Sequence, residues 1–151
     1  MAIPEYRFFF DTSVYISGLI SPKGAARELL RLIEVGAIRM VISQEVIVET
    51  DRVLSGKFPG LIEESRILWK HLAPEMVPDP AAIQIKPFLK ELDEGDAKIL
   101  CAAQSANVVA FVTWNTKDFM SSAVKKLVEF PIVIPADGLL LFRKWIDPFL
   151  R

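Results

Sequence analysis

Short runs of β-branched and aromatic residues alternate along this chain with longer stretches of helical spacing, and this alternation constrains the fold more than any other feature. The short runs have the composition of strands that are buried on both faces. They cover residues 7–10, 38–42, 108–113 and 131–135, with 75–77 as a short fifth candidate. Helical spacing covers residues 24–35, 44–54, 61–72, 94–106 and 136–146. The alternation predicts an α/β fold of three layers, α/β/α, with a mainly parallel central sheet of four to five strands.

The length of the chain and the uniform alternation of its strand-like and helix-like segments indicate one domain. Its 151 residues contain no repeat and no linker, so we expect a single domain over residues 1–151. The proline-bearing stretch 77–87 is interpreted as a long connection inside that domain. The apolar runs are far shorter than the ~20 residues that cross a bilayer, and the N-terminal segment, MAIPEYR, does not resemble a secretory leader. We therefore expect a cytoplasmic protein with no membrane partner.

The chain has one cysteine and one histidine, which limits the chemistry open to it. Cys101 has no partner for an internal disulfide, and we expect it to be a small buried residue on a helix face. No CxxC or His-rich spacing suggests a zinc site. Catalysis of the Ser-His-Asp or Cys-His type would have to use His71, which we expect at the surface near a helix end.

The net charge is −1 and the isoelectric point is about 5.9. A protein that binds nucleic acid through a basic surface alone would normally carry more positive charge. If the substrate is a phosphodiester, a divalent cation held by carboxylates would have to attract it. Lys98, Lys117 and Arg27 are the candidate cationic contacts for such a substrate.

Polar residues follow two of the predicted strands at the point where each strand ends. Asp11 comes directly after three phenylalanines, and Asn115 follows the VVAFVT run. Ligands of open parallel sheets bind beyond the carboxyl ends of the strands, so both residues are candidates for a site. The alternative for Asp11 is an N-cap of a helix that begins near Val14, a role that Thr12 or Ser13 could also fill.

Asp96 interrupts an apolar stripe on the predicted helix 94–106. On a helical wheel, Ile99, Leu100 and Ala103 lie within about 60° of it, so its carboxylate should point toward the core or toward a cleft at its edge. The alternative is a capping role. If Asp93 is the N-cap, Asp96 is the third helical residue, where an acid favours the helix dipole. Capping and metal binding are compatible.

Glu49 lies at the edge of the inward face of the predicted helix 44–54. It is about 60° from Val46 and about 40° from Val53 on the wheel, whereas Glu45 is further round, toward solvent. We expect Ser43 to be the N-cap of this helix. The alternative for Glu49 is a solvated residue on the flank of the helix.

The segment TWNTKDF, which begins at the last residue of the VVAFVT strand, contains two further oxygen donors. Asn115 could give its carbonyl oxygen to a metal or hold a metal-bound water, although it adds no negative charge. Asp118 could be a metal ligand, could hydrogen-bond to a ligand, or could be the N-cap of a following turn.

Three acids with inward or strand-end placement, Asp11, Glu49 and Asp96, lie on separate elements that a parallel sheet would bring together. Packing three carboxylates into one cleft is unfavourable without cations, because each raises the pKa of the others. Mg²⁺ and Mn²⁺ prefer oxygen ligands and would relieve this repulsion. The combination therefore predicts a site for one of these ions.

These residues resemble the motifs of the PIN-domain (PilT N-terminus) ribonucleases, particularly the small stand-alone prokaryotic members that resemble VapC-like toxin components of toxin–antitoxin systems. RFFFDTSVYISGLI resembles the opening strand of the family with its first acid, and ISQEVIVETDRVL the segment with the second acid. DEGDAKILCAAQSANVVAFVTWNTKDF resembles the helix with the third acid and the strand that follows it. SPKGAARELLRLIEVG and PIVIPADGLLLF resemble the second helix and the closing strand and helix.

The resemblance implies a metal-dependent endoribonuclease with Mg²⁺ or Mn²⁺ as cofactor, RNA as substrate, an antitoxin protein as partner and a homodimer as assembly. It implies catalytic roles for Asp11, Glu49, Asp96 and Asp118, and metal binding by Asp11, Asp96, Asn115 and Asp118. Thr12, Ser13, Thr113 and Asn115 would support these carboxylates or bind the substrate. Asparagine replaces the aspartate often found at the fourth acidic position, which favours one metal ion over two.

Two other functions fit parts of the sequence. A non-catalytic module of the same fold, binding RNA or a protein partner, would agree with Asn115 and with the lack of basic excess. A phosphatase or phosphotransferase with Asp11 as nucleophile is disfavoured, because DTSVY has no second acid two residues further on. Four apolar residues, Phe58, Leu61, Leu68 and Trp69, could form a dimer face or a second layer of the core.

Overall fold

The computed structural model describes residues 5–150 of the chain. The first four residues of the N-terminal segment considered above lie outside this range. Within the described residues, no helix is long and apolar enough to cross a membrane.

A five-stranded sheet forms the centre of the structure, and every pairing between its strands is parallel. The spatial order of the strands is β3-β2-β1-β4-β5. Their bounds are Arg7–Phe10 (β1), Arg39–Ser43 (β2), Glu75–Val77 (β3), Ala110–Val112 (β4) and Ile132–Val133 (β5). The predicted parallel sheet is confirmed, and the strand order reverses direction at β1, which places the loops after β1 and β4 side by side.

Helices cover the two faces of the sheet, which confirms the predicted three-layer α/β/α architecture. Their bounds are Thr12–Ile20 (α1), Ala25–Glu34 (α2), Gln44–Lys57 (α3), Ile62–Leu72 (α4), Ala82–Ile85 (α5), Glu94–Ser105 (α6), Thr116–Phe119 (α7), Ser122–Lys125 (α8) and Pro135–Leu150 (α9). The stretch 77–87, interpreted as a long connection inside the domain, contains the single turn of α5. The single turns α7 and α8 are too short to leave a periodic pattern in the sequence.

The three phenylalanines of β1 form the middle of the core, and each is fully buried. Successive side chains of a strand point to opposite faces. Phe8 therefore lies beside Leu29 and Gly138, on the side of α2 and α9, whereas Phe9 stacks on Phe111 at 5.6 Å between ring centroids. An uninterrupted apolar run is thus what a central parallel strand requires.

The amino ends of the strands are joined by charged residues. Arg7 donates two hydrogen bonds to the carboxylate of Glu75, at 3.1 and 2.6 Å, and a third to the carbonyl of Ala106 at 2.7 Å. The Arg7 hydrogen bond is the main reason why the pKa of Glu75 lies below its ordinary value. Cations and acids are therefore paired at this edge of the sheet, in contrast to the opposite edge described below.

The single cysteine, the single histidine and four apolar residues were the subject of further predictions from the sequence. Cys101 is buried and His71 is exposed, as predicted. The four apolar residues considered for a dimer face are each half-buried and pack against the core, and Trp69 stacks on Tyr15 at 3.7 Å. They therefore form part of the outer layer of the core, and the dimer face stays a prediction.

Candidate acidic site at the carboxyl edge of the sheet

Asp11 lies where β1 ends and α1 begins. Its backbone N–H donates to the carbonyl of Val112 at 3.0 Å, which extends the β1–β4 pairing by one residue. Its carboxylate accepts from the N–H of Thr12 at 2.9 Å, so Asp11 is the N-cap of α1. The side chain is only 4% exposed. The capping role and the strand-end placement are therefore both present at this one residue.

Two hydroxyl groups hold the second oxygen of the Asp11 carboxylate. Ser13 Oγ donates to Oδ2 at 3.0 Å and Thr113 Oγ1 donates to the same atom at 2.7 Å. Burial nevertheless raises the pKa of Asp11 above its ordinary value, and the three hydrogen bonds only partly oppose this effect. A negative charge at this position is thus costly unless a cation lies nearby.

Asp96 lies in the first turn of α6, as the third helical residue. Asp93 is the N-cap of that helix, and its carboxylate accepts from the N–H of Asp96 at 2.8 Å, so the predicted cap is confirmed. Asp96 itself is half-buried. Its pKa is raised to about 7 by burial first, and then by the charges of Asp93, Asp11, Glu49 and Asp118.

Glu49 is half-buried on α3, and its pKa is also above its ordinary value. Burial is the main cause, followed by the charges of Asp11 and Glu45, with Asp93 contributing less and Arg52 opposing the rise. Asp11, Glu49 and Asp96 thus lie close enough for each pair to interact electrostatically. Three separate elements bring them to the carboxyl edge of the sheet.

The start of α3 differs from the sequence prediction. Ser43 occupies the N-cap position, but its side chain makes no capping hydrogen bond, and its buried hydroxyl has no partner among residues 5–150. Asp79, from the connection after β3, accepts instead from the N–H of Glu45 at 3.0 Å. Glu45 is also half-buried rather than turned to solvent, with one carboxylate oxygen 3.8 Å from where a Cβ on Gly95 would lie.

Asn115 and Asp118 bind each other across the single turn of α7. The Asn115 carbonyl oxygen accepts from the N–H of Asp118 at 3.3 Å, and its amide nitrogen donates to Oδ2 of Asp118 at 3.0 Å. Asn115 is therefore the N-cap and Asp118 the third residue of α7. Of the three roles considered for Asp118, the N-cap of a following turn is not observed, because Ser121 caps α8. Asp118 is exposed, and its charge still contributes to the raised pKa of Asp96.

The hydroxyl residues proposed to support the acids have different environments. Thr113 is fully buried, and its hydroxyl also accepts from the N–H of Asn115 at 2.9 Å. Ser13 accepts from the N–H of Trp114 at 3.0 Å. The hydroxyl of Thr12 is buried and has no hydrogen-bond partner among the residues described. The loops after β1 and β4 are thus joined through Thr113 and Ser13, and both meet at Asp11.

Few cationic side chains balance the acids. Arg27 donates its guanidinium to the carbonyls of Gly18 and Leu19, and Lys98 lies 3.6 Å from Glu94 on the same helix. Lys117 is exposed next to the site on α7. This edge of the sheet is therefore predominantly negative.

The donor atoms at this edge suit a hard divalent cation, because they are all oxygens and most belong to carboxylates. Within residues 5–150, no three His, Cys, Asp or Glu side chains are already gathered around one metal position. Mutual repulsion favours such separation of carboxylates, and a cation between them would offset it. The oxygen donors thus fit the ion, and the distances between the carboxylates would have to decrease when it binds.

Comparison with known proteins supplies a family for this arrangement. A family profile described as PIN domain matches residues 7–117. A chain in the crystal structure of VapBC2 from Rickettsia felis bound to a promoter DNA fragment is similar, with a TM-score of 0.63, 17% identity, and coverage of 84% of this chain and 96% of that one. A chain in the crystal structure of DNA-bound VapBC from Salmonella typhimurium is also similar, with a TM-score of 0.62, 19% identity, and coverage of 86% of this chain and 98% of that one. No curated protein sequence matches significantly.

Proposed function

This chain belongs to the PIN-domain family, and on that premise we propose that it is a metal-dependent endoribonuclease whose acidic site hydrolyses RNA phosphodiester bonds. The observation that carries the proposal is the placement of Asp11, buried and held by Thr113 and Ser13 where β1 ends, beside the half-buried Glu49 and Asp96. Burial first, and then the charges of Asp93, Asp11, Glu49 and Asp118, raise the pKa of Asp96 to about 7. Several carboxylates at the carboxyl edge of a parallel sheet lower the stability of the fold, and such clusters are characteristic of functional sites.

In the proposed site, Mg²⁺ or Mn²⁺ is held by Asp11 and Asp96, with Asp118 and Asn115 as further oxygen donors. When bound, the cation supplies positive charge to the scissile phosphate and lowers the pKa of water toward neutrality. The carboxylate of Asp11 is kept in place by the hydroxyls of Thr113 and Ser13. Because these hydrogen bonds fix its orientation before any ligand arrives, Asp11 is the natural anchor of the site.

Glu49 is proposed to orient the attacking water and to accept its proton. Its half-buried position and the neighbouring charge of Asp11 raise the pKa of its carboxylate. A general base is most effective when its pKa is close to the working pH, so this direction of shift supports the role. Thr12, with a buried hydroxyl that has no partner within residues 5–150, is available to hydrogen-bond a ligand of the site.

The proposal is tested by incubating the purified protein with a mixed RNA substrate in the presence of Mn²⁺. Wild-type protein should cleave the RNA, and EDTA should stop it. The single variants Asp11→Asn and Asp96→Asn should each lose activity, whereas Asp137→Asn, an exposed acid in the first turn of α9, should remain active. Cleavage that survives in the Asp11→Asn, Asp96→Asn double variant would refute the assignment.

A non-catalytic module of the same fold is the second candidate. The observation in its favour is that Asn115 stands in place of a carboxylate and that its carbonyl oxygen is already engaged by the N–H of Asp118. Under this alternative, Mn²⁺ would produce no cleavage, although RNA or a protein partner would still bind. The same incubation therefore separates the two candidates.

The similar structures are VapBC complexes, and they support a protein partner for this chain. VapBC complexes pair a toxin with its antitoxin, and this supports an antitoxin protein as partner and a toxin role for this chain. A homodimer is also proposed, and light scattering after size-exclusion chromatography measures it directly. A mass near the 17.0 kDa of one chain would contradict the dimer.

A further inference from the structure

Trp114 is an exposed aromatic residue at the edge of the acidic site. It lies between Thr113, which donates to the buried carboxylate, and Asn115, which caps α7. Its side chain is 43% exposed. The other two tryptophans of the chain, Trp69 and Trp145, are stacked on tyrosine rings at 3.7 and 4.2 Å between centroids. Trp114 has no such ring partner in the part of the chain that the structure describes.

The backbone of Trp114 is held in a fixed position relative to Asp11. Its N–H donates to Ser13 Oγ at 3.0 Å, and the same Oγ donates to Oδ2 of Asp11 at 3.0 Å. The preceding residue, Thr113, continues the sheet by donating its N–H to the carbonyl of Val133 at 2.9 Å. A large aromatic side chain is thus presented to solvent from a rigid loop that shares its hydrogen bonds with the acidic site.

Few side chains on this surface are available to attract RNA by their charge. The net charge of the chain is −1. Two of the three predicted cationic contacts, Arg27 and Lys98, are engaged with backbone carbonyls and with Glu94, which leaves Lys117 as the exposed cation of the three. A substrate must therefore be held partly by contacts that do not depend on charge. Stacking of an unpaired base on an aromatic ring is such a contact, and it strengthens binding by about 5- to 150-fold per base.

We propose that Trp114 stacks against an unpaired base of the bound RNA and thereby positions the neighbouring scissile phosphodiester at the acidic site. This inference rests on the proposed nuclease function for the location of the phosphodiester. In a duplex, each base is already stacked and paired with its neighbours, so its face is not available to the indole ring. Trp114 would thus both position the RNA and select single strands over duplexes.

The test measures the binding of a fluorescein-labelled, single-stranded RNA of about ten nucleotides by fluorescence anisotropy. Binding is measured with Mn²⁺ in the Glu49→Gln background, which removes the proposed general base but keeps the proposed metal ligands, and a hairpin stem of the same composition is measured in parallel. Trp114→Ala and Trp114→Leu should raise the Kd for the single strand by about 5- to 150-fold, whereas Trp114→Phe should retain most of the affinity. The control is Val109→Ala, an exposed apolar residue at the opposite end of β4, which should change nothing.

Tryptophan emission gives a second measurement. RNA should quench the emission of the protein with Trp114, and the quenching should disappear in Trp114→Phe although that variant still binds. Equal Kd values for Trp114→Ala and Val109→Ala, a Trp114→Leu variant that binds as tightly as Trp114→Phe, or no RNA binding by the protein with Trp114 would each overturn the inference.

The stacking contact and the nuclease function can fail separately. If wild-type protein cleaves RNA in Mn²⁺ while the Kd is independent of Trp114, only the stacking contact is refuted. If wild-type protein does not cleave RNA but binding and quenching depend on Trp114, only the nuclease function is refuted.

Discussion

Replacing Asp96 by asparagine should stabilise the metal-free protein above neutral pH while it removes the proposed activity. The folded state raises the pKa of Asp96 from 3.8 to about 7, so folding favours the protonated carboxyl group. The contribution of this group to stability is complete below about pH 4 and is lost as the pH rises through 7. Asparagine has nearly the same shape as the protonated group and carries no charge, so the variant avoids this loss.

The expected size of the effect follows from the pKa of Asp96. A rise from 3.8 to about 7 corresponds to about 4 kcal/mol at 1.36 kcal/mol per pKa unit. Because Asp96 is only half-buried, solvent screening reduces this to roughly 1–2 kcal/mol. For a chain of this length, that free energy corresponds to an increase in Tm of about 2–8 °C. The increase should be greatest above pH 7 and should shrink steadily as the pH falls toward 4.

Thermal unfolding in EDTA at pH 5, 6, 7 and 8 measures this difference. The control is Glu94→Gln, which removes one exposed carboxylate from the same first turn of α6 and should raise the Tm at pH 8 far less than Asp96→Asn does, because that carboxylate is exposed. Added Mn²⁺ at pH 8 should raise the Tm of the wild type more than that of Asp96→Asn. Equal Tm values for Asp96→Asn and wild type at pH 8, or a gain that is the same at pH 5 and pH 8, would refute the reasoning.

Two further predictions concern contacts that support the site and the core. Thr113→Val keeps the shape of the side chain but removes the hydroxyl that donates to Asp11. It should lower the free energy of unfolding, measured by urea titration, by about 1–3 kcal/mol and should reduce RNA cleavage. Thr113→Ser, which keeps the hydroxyl, should retain both the stability and the cleavage. Gly18→Ala would place a Cβ 2.5 Å from Leu30 Cδ1 and should cost about 1–3 kcal/mol through overpacking. Gly60→Ala, which meets no atom within 4 Å, should leave the urea midpoint nearly unchanged; equal midpoints for the two alanine variants would contradict the packing argument.

Local patterns in the sequence predicted the longer elements that carry the site, but not the single turn α7, which carries Asp118 and is capped by Asn115. The uninterrupted apolar run of β1 predicted a central strand because both of its faces are covered, and the capping pair Asp93 and Asp96 was predictable because an N-cap contacts a residue only three positions away. Parallel strands also place Asp11 and Asn115 at one edge. Their roles as metal ligands remain predictions.

Contacts between distant segments could not be read from these patterns. The hydroxyl of Thr113 reaches Asp11 across 102 residues of chain, and Asp79 replaces Ser43 as the capping acceptor for α3 from 34 residues beyond Glu45. Neither partner is distinguished by local propensity, because the choice depends on which loops the strand order brings together.

The sequence by itself determined the α/β class, the strands and the longer helices, and the acids to consider, because periodicity and capping act over a few residues. Only the tertiary structure decided how these acids affect one another. The pKa of Asp96 is raised by burial first and then by the charges of Asp93, Asp11, Glu49 and Asp118, three of which lie on other elements. The exposure of Trp114 beside them likewise depends on how the loops pack. Burial and charge interaction are properties of distances in space, and those distances exist only once the sheet has formed.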